Sequence, residues 1–493
     1  MIPTLSKSQY VKGLQCPKAL WFYRHRKDLK PEIDPETQAR FDTGNQIGLL
    51  AQQYFLNGVE VTADYWDIES AELSTKQYVA DGHDIIFEAT AINPVDGTYS
   101  RIDILRRVRG SNAWELIEVK SSTTVKPYHI DDVSLQYHAF TQAGYSIHRC
   151  FMMVIDNTYA RDGDVDPKKL FRFEDISELV VAKKNEVEQR ALELINVLAS
   201  ETQPEAQIGS RCKIPFECDY KAHCWKGVPE YSVFNIYRGK KADEIAKLTN
   251  SYDVADIPAD LIPGGNKQID IICFKEQVSH TEKECIESFL EQLKYPLYYL
   301  DYETLGPAIP LFNGTRPYQQ TPFQFSLHVQ EEPESELRHY EFIHKATSDP
   351  RKTFAESLIK QCGNCGSIIV YKQSFEEGCN IKLAEALPKY AQGLIKINQR
   401  MLDLLIPFSK RWLYHPDQMG SASLKFVLPA LTDLNYEDMG IAGGMEASRR
   451  YQAFVEGKLS EEEIVQLWND LSTYCERDTF AMVALVEVLG QLP

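Results

Sequence analysis

Asp103, Glu118 and Lys120 are the first residues whose types and spacing could do chemistry. Asp103 lies in the segment RIDIL, and Glu118 and Lys120 lie in IEVK. Because residues i and i+2 of a strand point to the same face, Glu118 and Lys120 should point together, and a hairpin would bring Asp103 beside them. Two carboxylates can hold a divalent cation that polarises a phosphodiester and activates a water, while a lysine orients that water or neutralises charge on the phosphate. A single E-x-K is more often an exposed ion pair, but the apolar strand around this one favours a site.

A second group of acidic residues lies in the C-terminal half. The apolar strand YPLYYLDYET ends with Asp301 and Glu303 on one face, and a helix near the C-terminus carries Tyr474 and Asp478 one turn apart. Between them, SIIVYKQSFEEGCN runs from a strand into a helix that should begin around Glu376. Either motif alone is usual for a solvated strand end or helix face, but together and in this order they indicate a second site.

The cysteines form a third group. The chain has eleven, of which Cys212, Cys218 and Cys224 are evenly spaced in RCKIPFECDYKAHCW, while Cys16 precedes a proline near the N-terminus. Cysteines of a cytosolic chain stay reduced, so a dense subset of them indicates metal ligation rather than disulfide bonds. Structural zinc sites generally use closely spaced cysteine pairs, which this cluster lacks.

The elements that must position these residues are predicted from hydrophobic patterns. Residues 1–60 have mainly helical patterns, and the runs IIFEATAI, YSRIDILRRV and WELIEVK predict strands separated by turns. A helix at DDVSLQYHAFTQAG, a buried strand at CFMMVI and a charged helix near residues 177–200 follow. The sequence therefore predicts an α/β protein with a first domain at residues 1–228, a connector at 229–290 and a second α/β domain at 291–493.

Length, composition and charge limit the class of protein. With 493 residues, of which 43% are hydrophobic, the chain is too long for one core and should form two or three domains. It has no apolar stretch of bilayer length and its first residues lack the order of a signal peptide, so we expect a soluble cytoplasmic protein without a membrane partner. The net charge of −18 is unfavourable for phosphate binding over the surface as a whole.

One segment near the N-terminus is nevertheless basic and contains aromatic residues. Its candidate nucleic-acid-binding cations are Lys18, Arg24, Arg26 and Lys27. The aromatic residues Trp21, Phe22 and Tyr23 lie among them. Cations interleaved with aromatic rings suit a surface that follows a nucleic-acid backbone and stacks on bases. The alternative is a solvated amphipathic helix.

The order of the N-terminal elements and motifs resembles the RecB-like PD-(D/E)xK nucleases over roughly residues 1–225. The resemblance implies a restriction-endonuclease-like domain that uses Mg²⁺ or Mn²⁺. Asp103 and Glu118 would be metal ligands, and both would act in catalysis together with Lys120.

The sequence departs from the pattern of that family at two places. The helix after the E-x-K strand carries a Q-x-x-x-Y signature in the family, and here the catalytic candidate Gln136 is followed by Phe140 in place of the tyrosine. A metal-binding histidine of the first helix is also missing, because GNQIG has glycine where it would be expected. Glu88, on the strand before Asp103, could replace it as a metal ligand.

The cysteine arrangement resembles that of the iron–sulfur RecB-family nucleases, which include CRISPR-adaptation exonucleases. One cysteine near the start and three after the nuclease core imply that Cys16, Cys212, Cys218 and Cys224 hold a [4Fe–4S] cluster. The cluster would link the N-terminal helix to the far end of the domain through its cysteine ligands.

The C-terminal acidic residues resemble the DEDD exonucleases of the ribonuclease H-like class, in the subtype with a Tyr-x-x-x-Asp ending. In those enzymes four carboxylates hold two metal ions and the tyrosine orients a water. The resemblance assigns the metal ligands and the catalytic tyrosine as follows: Asp301, Glu303, Glu376, Asp478 and Tyr474. Glu376 departs from the usual aspartate by one methylene, and Asp403 in MLDLL is a candidate helper outside the metal ligands.

Together these resemblances predict a divalent-metal-dependent nuclease with two separate active sites. Its expected partner is nucleic acid, DNA rather than RNA, with exonucleolytic cleavage at single-stranded regions or DNA ends. One alternative is a single active head with a non-catalytic C-terminal nucleic-acid-binding domain, and another is a non-catalytic scaffold of a repair or defence complex. The order of both domains, with the strings RPYQQTPFQFSLH and GSASLKFVLPAL, is also similar to a bacterial family classified mainly by an uncharacterised C-terminal domain.

Overall fold

The chain divides into two compact units, Met1–Val228 and Pro229–Pro493. A computed structural model of the chain describes residues 3–437 and 439–492. Each unit combines helices with a β-sheet of its own, so the α/β class predicted from the sequence is confirmed. None of the helices in the described part of the chain combines the length and the apolar character that crossing a bilayer requires.

The first unit is built on one sheet flanked by helices. Its strands are β1 (Leu5–Ser6), β2 (Val59–Glu60), β3 (Ile85–Ile92), β4 (Thr98–Arg107), β5 (Trp114–Lys120), β6 (Ile147–Ile155) and β7 (Phe171–Asp175). Its helices are α1 (Lys7–Gln15), α2 (Pro17–His25), α3 (Pro35–Tyr54), α4 (Ile68–Ala80), α5 (Pro127–Gln142), α6 (Pro167–Leu170), α7 (Ser177–Ala182), α8 (Lys184–Ala199) and α9 (Lys221–Cys224). The strands lie in the order β2-β3-β4-β5-β6-β7, and β1 pairs with β4.

Strand direction and burial in this sheet follow from the sequence pattern. β3, β4 and β5 are antiparallel neighbours joined by short turns, whereas β6 is parallel to β5. A parallel pair needs a crossover connection, which α5 provides. Val133 and Phe140 of α5 pack into the same core as Ile86, Ile102 and Leu116 of the strands. The helix thereby returns over the end of β5 that carries the E-x-K motif.

The second unit also has one principal sheet. Its strands are β8 (His280–Thr281), β9 (Leu297–Leu305), β10 (Thr321–Gln330), β11 (Arg338–Ile343), β12 (Ser367–Val370), β13 (Met401–Asp403) and β14 (Leu413–Tyr414). Its helices are α10 (Val233–Ile236), α11 (Lys240–Thr249), α12 (Asn266–Glu276), α13 (Lys283–Leu290), α14 (Arg351–Gln361), α15 (Gln373–Ala386), α16 (Ala391–Asn398), α17 (Leu405–Ser409), α18 (Leu424–Leu431), α19 (Gly444–Val455) and α20 (Glu461–Gly490). The strand order is β11-β10-β9-β12-β13, and β8 pairs with β14 separately.

The central strand β9 separates two cores. It is antiparallel to β10 and parallel to β12, while β11 is antiparallel to β10 and β13 is parallel to β12. Tyr298 and Leu300 enter the core with α14 and α15. Leu297 and Tyr299 enter the opposite core, which contains residues of α20. Because side chains alternate between the two faces of a strand, Asp301 and Glu303 lie on the same face as Leu297 and Tyr299, which is the face that α20 covers.

Residues 229–290, expected as a connector, belong to the second compact unit. Apolar residues of α10, α11 and α12 form a hydrophobic cluster that includes Val233, Ile245 and Ile271. The guanidinium of Arg411 donates to both carboxylate oxygens of the buried Asp270, at 2.5 and 3.1 Å. This segment is packed against the unit rather than extended as a free linker.

Candidate active sites

The hairpin of β4 and β5 brings Asp103 to the E-x-K motif. Ile104 pairs with Ile117 across the two strands, and the backbone N–H of Val119 donates to Oδ2 of Asp103 at 2.6 Å. Glu118 beside it is 1% exposed. The structure thus brings together the two carboxylates that the sequence analysis selected.

Glu118 is held by three side-chain donors from different parts of the chain. Its Oε1 accepts from Nζ of Lys120 at 2.6 Å and from Nζ of Lys7 at 2.7 Å. Its Oε2 accepts from Nε2 of Gln136 at 2.7 Å. The two ammonium groups hold the pKa of Glu118 well below its usual range despite burial, so its carboxylate is ionised and oriented.

Two residues of this group were missed by the sequence analysis. Lys7 begins α1, and Asp132 on α5 accepts from Nζ of Lys120 at 2.9 Å. Asp132 lies four residues before Gln136, so the i, i+4 spacing on one helix was a usable signal. Lys7 has no such signal, because its contact depends on where α1 packs.

Glu88 lies at the same level of the sheet as Asp103. Its neighbours Phe87 and Ala89 pair with Ile104 and Ile102, and Glu88 itself has a φ of 56°. A left-handed backbone is uncommon for a residue other than glycine and costs on the order of 1–3 kcal/mol, and such strain concentrates at functional sites. The conformation sets Glu88 apart from the regular alternation of β3.

At Asp103 and Glu88, the effect of burial on the pKa outweighs the nearby positive charges. Burial and the nearby Glu118 raise the pKa of Asp103 to about 8, and burial raises the pKa of Glu88. Oε1 of Gln136 is buried without a hydrogen-bond partner. Among the residues that the structure describes, ligand oxygens of Glu88, Asp103 and Glu118 do not all lie within 4.8 Å of one another, so a divalent ion held by all three would require their side chains to move closer together.

The residues that depart from the family pattern also have clear positions. Gly44 and Gly48 lie on α3, and a Cβ added to either would meet no atom within 4 Å. Phe140 is fully buried in the core, so the aromatic ring of the Q-x-x-x-Y position packs there without a hydroxyl. Of this motif, Gln136 alone reaches the site.

The four selected cysteines come together at one end of the first unit. Cys16 precedes α2, Cys224 ends α9, and the backbone N–H of Cys218 donates to the carbonyl of Cys212 at 2.9 Å. Burial raises the pKa of Cys218 to about 11, and the thiols of Cys16 and Cys212 act in the same direction. The same two thiols add to the effect of burial on the pKa of Cys224.

Helix α1 is attached to this cysteine segment by polar contacts. Nζ of Lys12 lies 2.7 Å from Oδ2 of Asp219. Nε2 of Gln15 donates to the carbonyls of Arg211 and Phe216 at 2.9 and 2.7 Å. One helix therefore reaches the candidate active site at its first residue and the cysteine segment at its last.

The basic segment differs in part from the prediction. Phe22 is 1% exposed and packs against Tyr220. Trp21 donates to the carbonyl of Ser200 at 2.9 Å and stacks on His25. The expectation of stacking on bases is therefore wrong for Phe22, which is buried, and Trp21 is partly engaged by contacts within the first unit.

The cations of that segment remain at or near the surface. Arg24, Arg26 and Lys27 are exposed, but Arg26 is paired with Asp28 at 2.7 Å. Nζ of Lys18 lies 5.6 Å from the centre of the Phe22 ring. Arg24 and Lys27 are therefore the better candidates for contacts with a phosphate backbone.

In the second unit, three predicted carboxylates meet between β9 and α20. One oxygen each of Asp301, Glu303 and Asp478 lies within 4.8 Å of the others. Alternation along β9 and the helical repeat of α20 direct them to the same space. A Cβ at Gly444, at the start of α19, would come 3.4 Å from Oε2 of Glu303, so the small residue there leaves room beside the carboxylate.

Side chains around this group orient Asp478 and Asp301. The hydroxyl of Tyr436 donates to Oδ1 of Asp478 at 2.6 Å, and the hydroxyl of Tyr474 also lowers the pKa of Asp478 through a hydrogen bond. The thiol of Cys475 is 3.6 Å from Oδ2 of Asp301. Sequence analysis selected Tyr474 but missed Tyr436 and Cys475, of which Cys475 had the signal of lying between Tyr474 and Asp478.

Glu376 and Asp403 occupy different positions from the other three acids. Glu376, in the first turn of α15, is 2% exposed and its Oε2 has no hydrogen-bond partner. Oδ1 of Asp403 accepts from the backbone N–H groups of Lys372 and Leu405 at 2.9 and 3.0 Å. Asp403 therefore stabilises the turn that leads into α15. Glu376, in the first turn of that helix, has its carboxylate in the interior of the unit.

These acids share one electrostatic condition. Burial raises the pKa values of Asp301, Glu303 and Glu376 well above their usual range, and neighbouring carboxylates add to the effect. Burial also raises the pKa of Asp478, to about 6. Lys425 lowers the pKa values of Glu303 and Asp478 but does not offset burial. Lys372 likewise lowers the pKa of Glu376 without offsetting burial, and acids whose pKa values are raised in this way fit divalent cations.

Comparison with known proteins finds a similarity to a described family in part of the second unit. Residues 298–423 match the family described as "Domain of unknown function (DUF2779)". The chain is 26% identical over 219 residues to "Uncharacterized protein MG366 homolog" of Mycoplasma pneumoniae, which covers 40% of the chain and 33% of the relative. It is 25% identical over 223 residues to "Uncharacterized protein UU173" of Ureaplasma parvum, which covers 41% of the chain and 32% of the relative. The match thus spans about a third of each relative, and no solved structure matches the chain.

Proposed function

We propose that the chain is a divalent-metal-dependent nuclease with two separate active sites, one in each unit. The observation that carries the proposal is that, in each unit, acids from different elements converge where burial raises the pKa values of several of them. Asp103 in the first unit and Asp478 in the second have raised pKa values of about 8 and about 6. Bound divalent cations would favour the ionised form of such groups.

The strand orders support the two resemblances. In the first unit, the antiparallel β3, β4 and β5 followed by the crossover α5 and the parallel β6 suit a restriction-endonuclease-like core. In the second unit, the order β11-β10-β9-β12-β13 with three antiparallel and then two parallel strands suits a ribonuclease H-like sheet. The candidate metal ligands of the first unit lie on β3, β4 and β5, and those of the second unit lie on β9 (Asp301 and Glu303), α15 (Glu376) and α20 (Asp478).

Each residue then has a chemical role. Mg²⁺ or Mn²⁺ held by Glu88, Asp103 and Glu118, and by the carboxylates of the second unit, would polarise the phosphodiester and activate a water. Lys120 places its ammonium where charge develops on the phosphate. Gln136 keeps Glu118 in one orientation through its 2.7 Å hydrogen bond.

In the second unit, the tyrosines act on the carboxylates and on water. Tyr436 holds Asp478 by its 2.6 Å hydrogen bond. The hydroxyl of Tyr474, which hydrogen-bonds Asp478, would orient the attacking water. Lys425, the cation beside this group, can balance charge on a bound phosphate.

The cysteines support a [4Fe–4S] cluster as a structural group. In the described part of the chain, no three of these sulfurs lie mutually within 4.8 Å, whereas zinc with Zn–S bonds of about 2.3 Å would hold them about 3.8 Å apart. Wider spacing fits a centre with several irons. The cluster would fix the cysteine segment to α1 and so stabilise the first unit.

The substrate we propose is DNA with single-stranded regions or ends, cleaved exonucleolytically. This preference comes from the RecB resemblance, and Arg24 and Lys27 provide exposed cations for the backbone. A single active head is favoured by one observation: Glu376 is not part of the close set of Asp301, Glu303 and Asp478. The longer side chain would then leave the second unit to bind nucleic acid without cutting it.

The test uses end-labelled single- and double-stranded DNA and RNA with Mn²⁺. We expect Lys120→Ala to remove one cleavage activity, Asp301→Asn to remove another, and the double variant to remove both. Lys76→Ala and Asp260→Asn, on exposed positions of the first and second unit, are the matched controls. Unchanged cleavage in Asp301→Asn would leave one active head, and no cleavage by the wild type with any divalent metal would favour the scaffold.

A further inference from the structure

A separate group of potential metal ligands lies on the same sheet face of the second unit. His328 on β10 and His339 on β11 are direct cross-strand partners, and Glu476 lies on α20. One ligand atom of each lies within 4.8 Å of the other two. None of the three belongs to the carboxylate group around Asp301.

The two imidazole rings are held by hydroxyl groups. Nδ1 of His328 is 2.8 Å from Oγ1 of Thr479, and Nε2 of His339 is 2.8 Å from Oγ of Ser326. The two hydroxyls are themselves 2.8 Å apart. Each ring thus uses one nitrogen for a hydrogen bond and has the other for an ion, which is how metal-binding histidines are generally oriented.

Distances and burial suit an ion reached from the solvent. Nδ1 of His339 and Oε1 of Glu476 are 3.7 Å apart, with side-chain exposures of 24% and 50%. Ligand atoms around a tetrahedral zinc, with bonds of about 2.0–2.1 Å, are about 3.4 Å apart.

We propose that His328, His339 and Glu476 bind a divalent transition-metal ion of the zinc class, with water completing its coordination. Two imidazoles and one carboxylate suit such an ion better than Mg²⁺, which prefers oxygen ligands. The ion joins β10 and β11 to α20, the helix that also carries Tyr474 and Asp478. It ties that helix to the sheet whether or not the carboxylates cut nucleic acid.

The test is the zinc content of the full-length protein after chelation, reconstitution with Zn²⁺ in excess Mg²⁺, and removal of unbound metal. We expect Glu476→Gln and His339→Gln to contain one zinc fewer per chain than the wild type. Glu487→Gln, exposed on the same helix, and His280→Gln, a half-buried histidine beside Glu282 at 3.3 Å, should keep the wild-type content. Asp301→Asn should also retain this zinc ion, which would show that the ion is not bound by the carboxylate group around Asp301.

A second readout uses Co²⁺ in place of zinc. Cobalt bound by nitrogen and oxygen in a four-coordinate site should give a visible absorption difference that His339→Gln removes. Glu476→Gln changes a half-exposed helical side chain, so its fold can be checked by circular dichroism and should be retained. Equal zinc content and equal Co²⁺ spectra in the wild type and in Glu476→Gln would overturn the proposal and leave a histidine cluster held only by hydroxyls.

Discussion

Nζ of Lys7 and Oε1 of Glu118 lie 2.7 Å apart, although 111 residues separate them in the chain. Lys7 is the first residue of α1, and Gln15, the last residue of that helix, donates to two carbonyls of the cysteine segment. The same helix therefore contacts the ionised glutamate of the first candidate site and the segment that would hold the cluster. This connection is the basis of the first prediction.

Replacing Lys7 by Met should weaken the first active site without unfolding the unit. Glu118 would lose one of two ammonium partners, and a hydrogen bond to a charged group contributes about 1.5–3 kcal/mol. We expect cleavage by the first head to fall by about tenfold or more, measured in the Asp301→Asn background. The control is Lys76→Met, which removes a Lys–Glu pair of 2.8 Å on the exposed face of α4. An equal loss in both variants would contradict a role for Lys7 at the site.

Glu88→Gly should raise stability and lower activity at the same time. Glycine adopts a φ of 56° readily, so the substitution removes backbone strain of about 1 kcal/mol together with a half-buried carboxylate whose pKa is raised. If Glu88 is a metal ligand, cleavage by the first head is lost even though the unfolding midpoint increases. Asn57→Gly, at an exposed position with a φ of 61°, should increase stability with activity retained. Full activity in Glu88→Gly would remove Glu88 from the ligand set.

Cys218→Ser should remove the cluster and destabilise the first unit. Protein purified without oxygen should contain about four irons per chain and be brown if the four cysteines hold [4Fe–4S]. Because ligation energy contributes to folding, the variant should lose iron and unfold at lower temperature. Cys365→Ser, at an exposed cysteine of the second unit, should retain the iron. Stoichiometric zinc without iron in the wild type would contradict the cluster.

Tyr436→Phe and Tyr474→Phe should separate two effects on the second head. Tyr436 bonds Asp478 at 2.6 Å, and its loss from a charged acceptor should slow cleavage by about tenfold. Tyr474→Phe should slow cleavage because the water is less well oriented. The decrease in rate should be smaller than in Asp301→Asn, which removes a metal ligand. Tyr390→Phe, which loses a surface hydrogen bond to Glu356, is the control. Rates are compared in the Lys120→Ala background, and a Tyr474→Phe enzyme with full rate would exclude the water-orienting role.

The acids of the second unit predict how pH changes stability without metal. The pKa of Asp478 is about 6 in the folded chain, against about 3.9 for an unfolded aspartate. The folded state therefore binds more protons, and this contribution is present below pH 4 and is lost as pH rises through about 6. Asp301 and Glu303, whose pKa values are raised further, extend the loss to higher pH.

Bound Mn²⁺ should offset that loss. We expect a small effect of Mn²⁺ on the unfolding midpoint at pH 5 and an increase of roughly 5 °C at pH 8, measured against a chelator. Asp478→Asn should reduce both the pH dependence and the gain from metal, and Asp260→Asn should change neither. A gain from Mn²⁺ that is independent of pH would contradict protonation of the carboxylates.

Much of the local arrangement was determined by the sequence alone. Alternation along β5 and β9 was sufficient to place Glu118 with Lys120 and Asp301 with Glu303. Helical spacing placed Tyr474 with Asp478. These relations depend on the periods of a strand and a helix, which are properties of the local backbone.

Contacts between distant segments were decided only by the tertiary structure. Lys7 reaches Glu118 because α1 packs against α5, and Tyr436 reaches Asp478 from an irregular segment. His328 and His339 meet because β10 and β11 are in one register. Phe22, expected to stack on bases, packs inside because burial of an aromatic ring is favourable. Such contacts depend on the register and packing of whole elements, which no local period specifies. The acids could therefore be identified from the sequence, whereas the residues that contact them could be identified only from the fold.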